Sequence, residues 1–124
     1  MYRRGMALWP RWVKLRRGPK VAQDSHHVTF DLEDLSDDWR PVAPSDRVDL
    51  IRELRREVPS GHVLHGLRCQ PVSRRQSRDD TIWWLPHREE WALVHLTYQV
   101  ESDPRWPATS TYSSWPELVA DLAD

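Results

Sequence analysis

Two apolar runs separated by four polar residues set the frame for this chain. "TIWWLP" (Thr81 to Pro86) and "WALVHLTYQV" (Trp91 to Val100) flank "HREE" (His87 to Glu90). Runs rich in β-branched and aromatic residues, joined by a polar insert of turn length, read as an antiparallel hairpin. Side chains alternate across a strand. Ala92, Val94, Leu96, Tyr98 and Val100 therefore share one face, and Trp91, Leu93, His95, Thr97 and Gln99 the other. The first face is apolar and needs a covering layer. The second turns polar along its length, and Glu101 extends that row if the strand runs on.

Elements on either side supply the cover. Ser45 is placed to cap a helix, with Asp46 and Asp49 in its first turn and Arg55 and Arg56 in its last, matching the helix dipole. Leu50, Ile51, Leu54 and Val58 form its apolar stripe, and Pro59-Ser60-Gly61 ends it. Val63 to Ser73 reads as a strand with an edge position or bulge at Pro71. Ser114 and Glu117 form a capping box ahead of the stripe Trp115, Leu118, Val119 and Leu122. "HHVTFDL" (His26 to Leu32) suggests one short extra strand, and "DLEDLSDDWRPVAPSD" an acidic linker. The expected fold is α+β, an antiparallel sheet of three to four strands with two helices packed on one face.

At 124 residues the chain has the length of one domain. Eight tryptophans are many for that length, and the first demand on them is to fill a small core. The lone Cys69 cannot form an internal disulfide, which suits a reducing compartment, and its strand-like setting suits an inert buried thiol. No apolar run approaches a membrane span or a signal-peptide core, so the expected location is cytoplasmic. Charge is distributed unevenly. Residues 1–20 carry seven Lys/Arg and no acid, whereas residues 21–124 carry eleven basic and nineteen acidic residues, a net charge of −8. Residues 1–25 read as a flexible basic arm and residues 26–124 as the folded domain. Arg3, Arg4, Arg11, Lys14, Arg16 and Arg17, with Trp9 and Trp12 among them, are the candidates for nucleic-acid contact. The acidic body argues against a broad DNA-binding face.

The residues with chemical potential cluster in "HLTYQVESDPRWPATSTY" (His95 to Tyr112). His95, Thr97 and Glu101 form the nearest approach to an acid–base row. The chain has neither a nucleophile elbow nor a Gly-rich phosphate loop. The bland reading is that His95 ties the following loop to the sheet through a backbone carbonyl. Prolines 104 and 107 bracket Arg105-Trp106 in a stiff loop. It suits either protein recognition, where Trp and Arg anchor interfaces, or a plug over an open sheet face. His62 and His65 stand three apart at a strand start, and His26 and His27 are adjacent, so neither pair gathers ligands; no metal and no cofactor are expected. Asp79-Asp80 beside Arg74, Arg75 and Arg78 reads as a self-compensating turn.

A wider pattern joins these positions: Trp39, Pro41, Gly61-His62, Leu64-His65-Gly66, Asp79-Asp80, Trp91 and His95-Leu96-Thr97. It continues through Glu101, Trp106-Pro107, Thr109, Tyr112, Ser114-Trp115 and Glu117. In this respect the chain resembles a family of small uncharacterised bacterial proteins with an HLT(W/Y)…E…WPxTxxYxSWxE pattern, Tyr98 replacing the usual Trp. The likeness runs from about Asp34 to Leu122 and leaves the basic head outside. More loosely, the chain is similar to immunity proteins of bacterial toxin systems. The expected function is a non-enzymatic, immunity-like protein-binding module contacting a partner through His95, Thr97, Glu101, Arg105, Trp106 and Thr109. The alternative is a small hydrolase-like or ligand-binding enzyme using His95 and Glu101 in a cleft. The third reading is nucleic-acid contact through the arm.

Overall fold

The computed structural model describes residues 13–15 and 28–123. Its elements are β1 (Val13–Leu15), β2 (Val28–Phe30), a 3-10 turn (Leu32–Asp34), β3 (Trp39–Pro41), α1 (Pro44–Glu57), β4 (Gln70–Arg75), β5 (Asp80–Leu85), β6 (Glu90–His95), β7 (Ala108–Tyr112) and α2 (Trp115–Leu122). Strands β3 to β7 form one antiparallel sheet in sequence order, while β1 and β2 pair in parallel as a separate ribbon. The fold is α+β, but the main sheet has five strands rather than three or four. The additions are its two edges: β3, inside the expected acidic linker, and β7, inside the expected Pro/Trp loop. β1 falls within the segment read as a flexible arm.

The anticipated hairpin forms, with Asp80 opposite His95 and Leu85 opposite Glu90. The ladder shifts register between Pro71 and Ser73, where Pro71 lacks an amide proton to donate. Helix α1 starts one residue before the expected cap. Ala43 takes the capping position without a side-chain bond, and Pro44 enters the first turn, where its missing N–H is no loss. Ser114 caps α2 by accepting from the Glu117 amide at 3.3 Å. The Glu117 carboxylate reaches back one residue further than foreseen, to the Ser113 amide and hydroxyl.

The helices do not share a face of the sheet. Trp83 and Trp84 are consecutive, so they point oppositely. Trp83 joins Leu50, Leu54, Leu85, Ala92, Val94 and Leu96 beneath α1. Trp84 joins Phe30, Trp39, Ile82, Trp91, Trp115 and Leu118 beneath α2. The expectation of both helices on one face is corrected by β5 itself: "TIWWL" is apolar on both parities, and a strand apolar on both sides needs a layer on each. On the α2 side Trp91 is the hub, its ring 5.3 Å from Phe30, 5.0 Å from Trp84 and 4.9 Å from Trp115. The Trp115 indole N–H donates to Asp34 at 2.9 Å, satisfying the one polar atom this ring carries inward. Of the six tryptophans among the described residues, five are buried and Trp106 is exposed, so the core takes most of them.

Candidate functional site

Strand β6 stops at His95, five residues short of the expected Val100. The Leu96 amide still reaches Asp79 O at 3.0 Å. Beyond it the backbone turns away from the ladder, and Tyr98 takes a left-handed conformation with φ of 58°. The cause is Glu57 in the last turn of α1. Glu57 is fully buried, and its carboxyl accepts from the Thr97 amide at 2.8 Å and the Tyr98 amide at 2.7 Å, with the Thr97 hydroxyl oxygen 3.0 Å away. A buried acid stands in the place of the missing strand and satisfies the amides that a sheet neighbour would have taken. Burial pushes the Glu57 carboxyl up from its ordinary range, reinforced by a hydrogen bond with Glu53, while the amide donors pull it down. Glu53 is shifted the opposite way, chiefly by the same bond and also by Arg56.

A second clamp holds the far end of this loop. His62 is buried in the turn after α1. Its Nδ1 accepts from the Leu64 amide at 3.0 Å, which makes Nε2 the protonated nitrogen donating to Pro107 O at 2.8 Å. The Thr109 hydroxyl donates to the same carbonyl at 2.9 Å and lies 3.4 Å from His62 Nε2. Gly61, at φ of 91°, sits against the Pro104 ring with 3.5 Å between its Cβ position and Pro104 Cβ. Segments 61–66 and 97–107 are thereby fixed to one another.

The expected row of His95, Thr97 and Glu101 divides between two networks. Thr97 Oγ1 donates to Glu101 Oε2 at 2.7 Å, alongside Glu57. His95 instead meets Asp80, its cross-strand neighbour, with 2.8 Å between Nδ1 and Oδ1. Asp80 lies 3.6 Å from Arg75, and Arg75 donates to Asp38 at 2.9 Å while stacking over Trp39 at 5.6 Å. This is a polar row across the ends of four strands. The Asp38 carboxyl is held below its ordinary range chiefly by the Ser77 hydroxyl. His95 therefore does not tie the loop to a backbone carbonyl; His62 does that. Asp80 takes part in this row instead of closing a turn, because β5 begins at it. Arg105 is gripped by Asp103, 2.6 Å between Nη2 and Oδ2, and its hydrogen bonds bring the Asp103 carboxyl down to about 2. Trp106 is 44% exposed and does not plug the sheet. Arg3, Arg4, Arg11, Arg16 and Arg17 lie outside the described residues, and of Lys14 only the strand backbone is described.

Glu57 and His62 are the residues that sequence reasoning missed. Glu57 had a signal: it follows Leu50 by seven positions and Leu54 by three, on the buried stripe of α1, where a carboxylate needs partners. His62 had a weaker one, in the invitation of Gly61 to a turn rather than a strand.

The clamped segments carry the exposed apolar surface. Val63 (50% exposed), Tyr98 (45%), Val100 (70%) and Trp106 (44%) all lie on them, and among the described residues Val48 is the one large exposed apolar residue elsewhere. Among the described residues no helix is long and apolar enough to cross a membrane. Comparison with known proteins finds no matching family, no matching curated protein and no matching solved structure.

Proposed function

We propose that this chain is a non-enzymatic, immunity-like binding module that recognises a protein partner through the paired segments 61–66 and 97–107. The observation that carries this reading is the concentration of Val63, Tyr98, Val100 and Trp106 on two irregular segments clamped by the buried Glu57 and His62. A surface fixed before binding loses little entropy on association, and exposed aromatics on such a surface serve as anchors. The net charge of −8 over residues 21–124 favours a partner with a basic face. A reducing, cytoplasmic setting agrees with the single cysteine. The resemblance to the HLT(W/Y)…WPxT family fits here too, since its matched positions Gly61, His62, Thr97, Glu101, Trp106, Pro107 and Thr109 all belong to the clamp or to the surface it holds. The enzyme reading draws less support, because His95 and Glu101 belong to separate networks.

The test is co-expression of the chain with each product of its neighbouring genes. The expected result is one product that is toxic alone, is neutralised by this chain and forms a complex that Trp106→Asp abolishes. If no neighbouring product is neutralised or bound, the immunity-like reading fails.

A further inference from the structure

On the α1 face of the sheet, between α1 and the 64–69 stretch, lies a cavity of about 450 Å³. Ile51, Leu54, Val58, Leu64 and Leu67 form its walls and Trp83 its floor. This volume falls within the range of small-molecule sites, which are mostly apolar with a few polar groups fixing orientation. The polar groups here are of one sign. Arg55, Arg68 and His65 stand at the rim, and the lining contains no carboxylate.

These guanidiniums are uncompensated. Of the eleven arginines in residues 28–123, six pair with Asp or Glu (Arg52, Arg56, Arg74, Arg75, Arg88 and Arg105), and Arg40, Arg47 and Arg78 do not. Among the described residues, Arg55 and Arg68 have no such partner. Arg68 also lies close enough to Arg47 that the two repel, and Arg47 Nη1 is buried without a hydrogen-bond partner. In a body with an excess of seven acids over residues 26–124, a patch of unneutralised arginines beside an apolar hollow runs against the general charge. Folding gains nothing from holding like charges together there, whereas an anion seated at the rim would relieve the repulsion.

We propose that this cavity binds a small amphipathic anion, its aliphatic or aromatic body over Trp83 and its carboxylate or phosphate head on Arg55 and Arg68. The site is one of binding, not covalent chemistry. Burial pushes the Cys69 thiol in its wall up to about 11, so no thiolate is present to attack a ligand near neutral pH.

Titration calorimetry on the full chain at low salt tests this with four probes: octanoate, indole-3-acetate, octanol and inorganic phosphate. The expected result is saturable one-to-one binding of at least one of the two carboxylates. Octanol and inorganic phosphate should each bind at least about tenfold more weakly, since each lacks one half of the recognition. Arg55→Gln with Arg68→Gln should weaken the carboxylate at least tenfold and leave octanol unchanged. Ile51→Trp, which fills the cavity, should abolish binding of both while thermal melting reports an intact fold. Absence of saturable binding by both carboxylates overturns the proposal. So does octanol binding as tightly as octanoate, or carboxylate binding that survives both substitutions. The cavity shares Leu64, His65 and Gly66 with segment 61–66, but Val63, Tyr98, Val100 and Trp106 do not line it, so Trp106→Asp, which tests partner binding, should leave carboxylate binding unchanged.

Discussion

Glu57 and Thr97 are 40 residues apart in sequence and joined twice, the backbone amide donating to Oε1 at 2.8 Å and the hydroxyl lying 3.0 Å from the same oxygen. Through this contact a helix end, instead of a sixth strand, terminates the ladder. It determines where β6 stops, which way Tyr98 turns and how the 97–107 segment leaves the sheet. Glu57→Ala should leave the Thr97 and Tyr98 amides without their buried acceptor and lower stability by about 2–4 kcal/mol. Urea unfolding measures this, and hydrogen exchange should show the Thr97 and Tyr98 amides losing protection ahead of those in β5.

The same residue gives a pH dependence of defined sign. Its folded-state pKa is raised, so the folded chain keeps a proton that the unfolded chain has released. The stability contributed by Glu57 is full below the ordinary glutamate range and is lost as pH rises through the raised value. Glu57→Gln removes that titration. The difference in melting temperature between the parent chain and this variant should therefore fall steadily from pH 4 upward. A difference that grows with pH would contradict an upward shift of the Glu57 carboxyl.

How much of this could be read from the chain follows from the range of each interaction. The β5–β6 hairpin and both helices depend on local patterning and short turns, and they were legible. Edge strands β3 and β7 depend on pairing with distant neighbours, and their short sequences, "WRP" and "ATSTY", carry proline or small polar residues that read equally well as loop. The placement of helices on opposite faces was present in "TIWWL", whose apolar residues leave no polar face. The site was legible as a region but not as a geometry. Parity correctly put Leu96 with Ala92 and Val94, yet it assumed a strand running on through Thr97. The buried carboxylate that breaks the strand comes from a helix far away in sequence, which alternation within one strand cannot reveal.

His62 should be as important to the loop pair as Glu57. Its ring carries one acceptor bond and one donor bond, both in a buried setting. His62→Ala should cost about 2–3 kcal/mol in urea unfolding and expose the Leu64 amide to exchange. Nitrogen-15 spectra of the imidazole should show Nε2 protonated and Nδ1 bare. The reverse tautomer would mean that Leu64 and Pro107 are not held as described.

The tryptophans should separate into two classes by stability. Trp91→Ala removes the hub of the α2-side cluster and should cost about 3–5 kcal/mol. Trp106→Ala removes an exposed ring and should change stability by no more than about 0.5 kcal/mol. Denaturant midpoints of the two variants, compared at equal slope, check this. A large loss at Trp106 would return it to the core and remove it from the surface available to a partner.

Photocrosslinking in the native host distinguishes one fixed recognition surface, built from segments 61–66 and 97–107, from unrelated exposed patches. A benzophenone side chain placed at Val100, at Trp106 or, as control, at Val48 on α1 samples three exposed apolar positions. Val100 and Trp106 should yield the same discrete protein adduct and Val48 none, and the Val100 adduct should be lost when Trp106 is changed to Asp. No adduct at either loop position, or the same adducts at Val48 as at the loop, would contradict it.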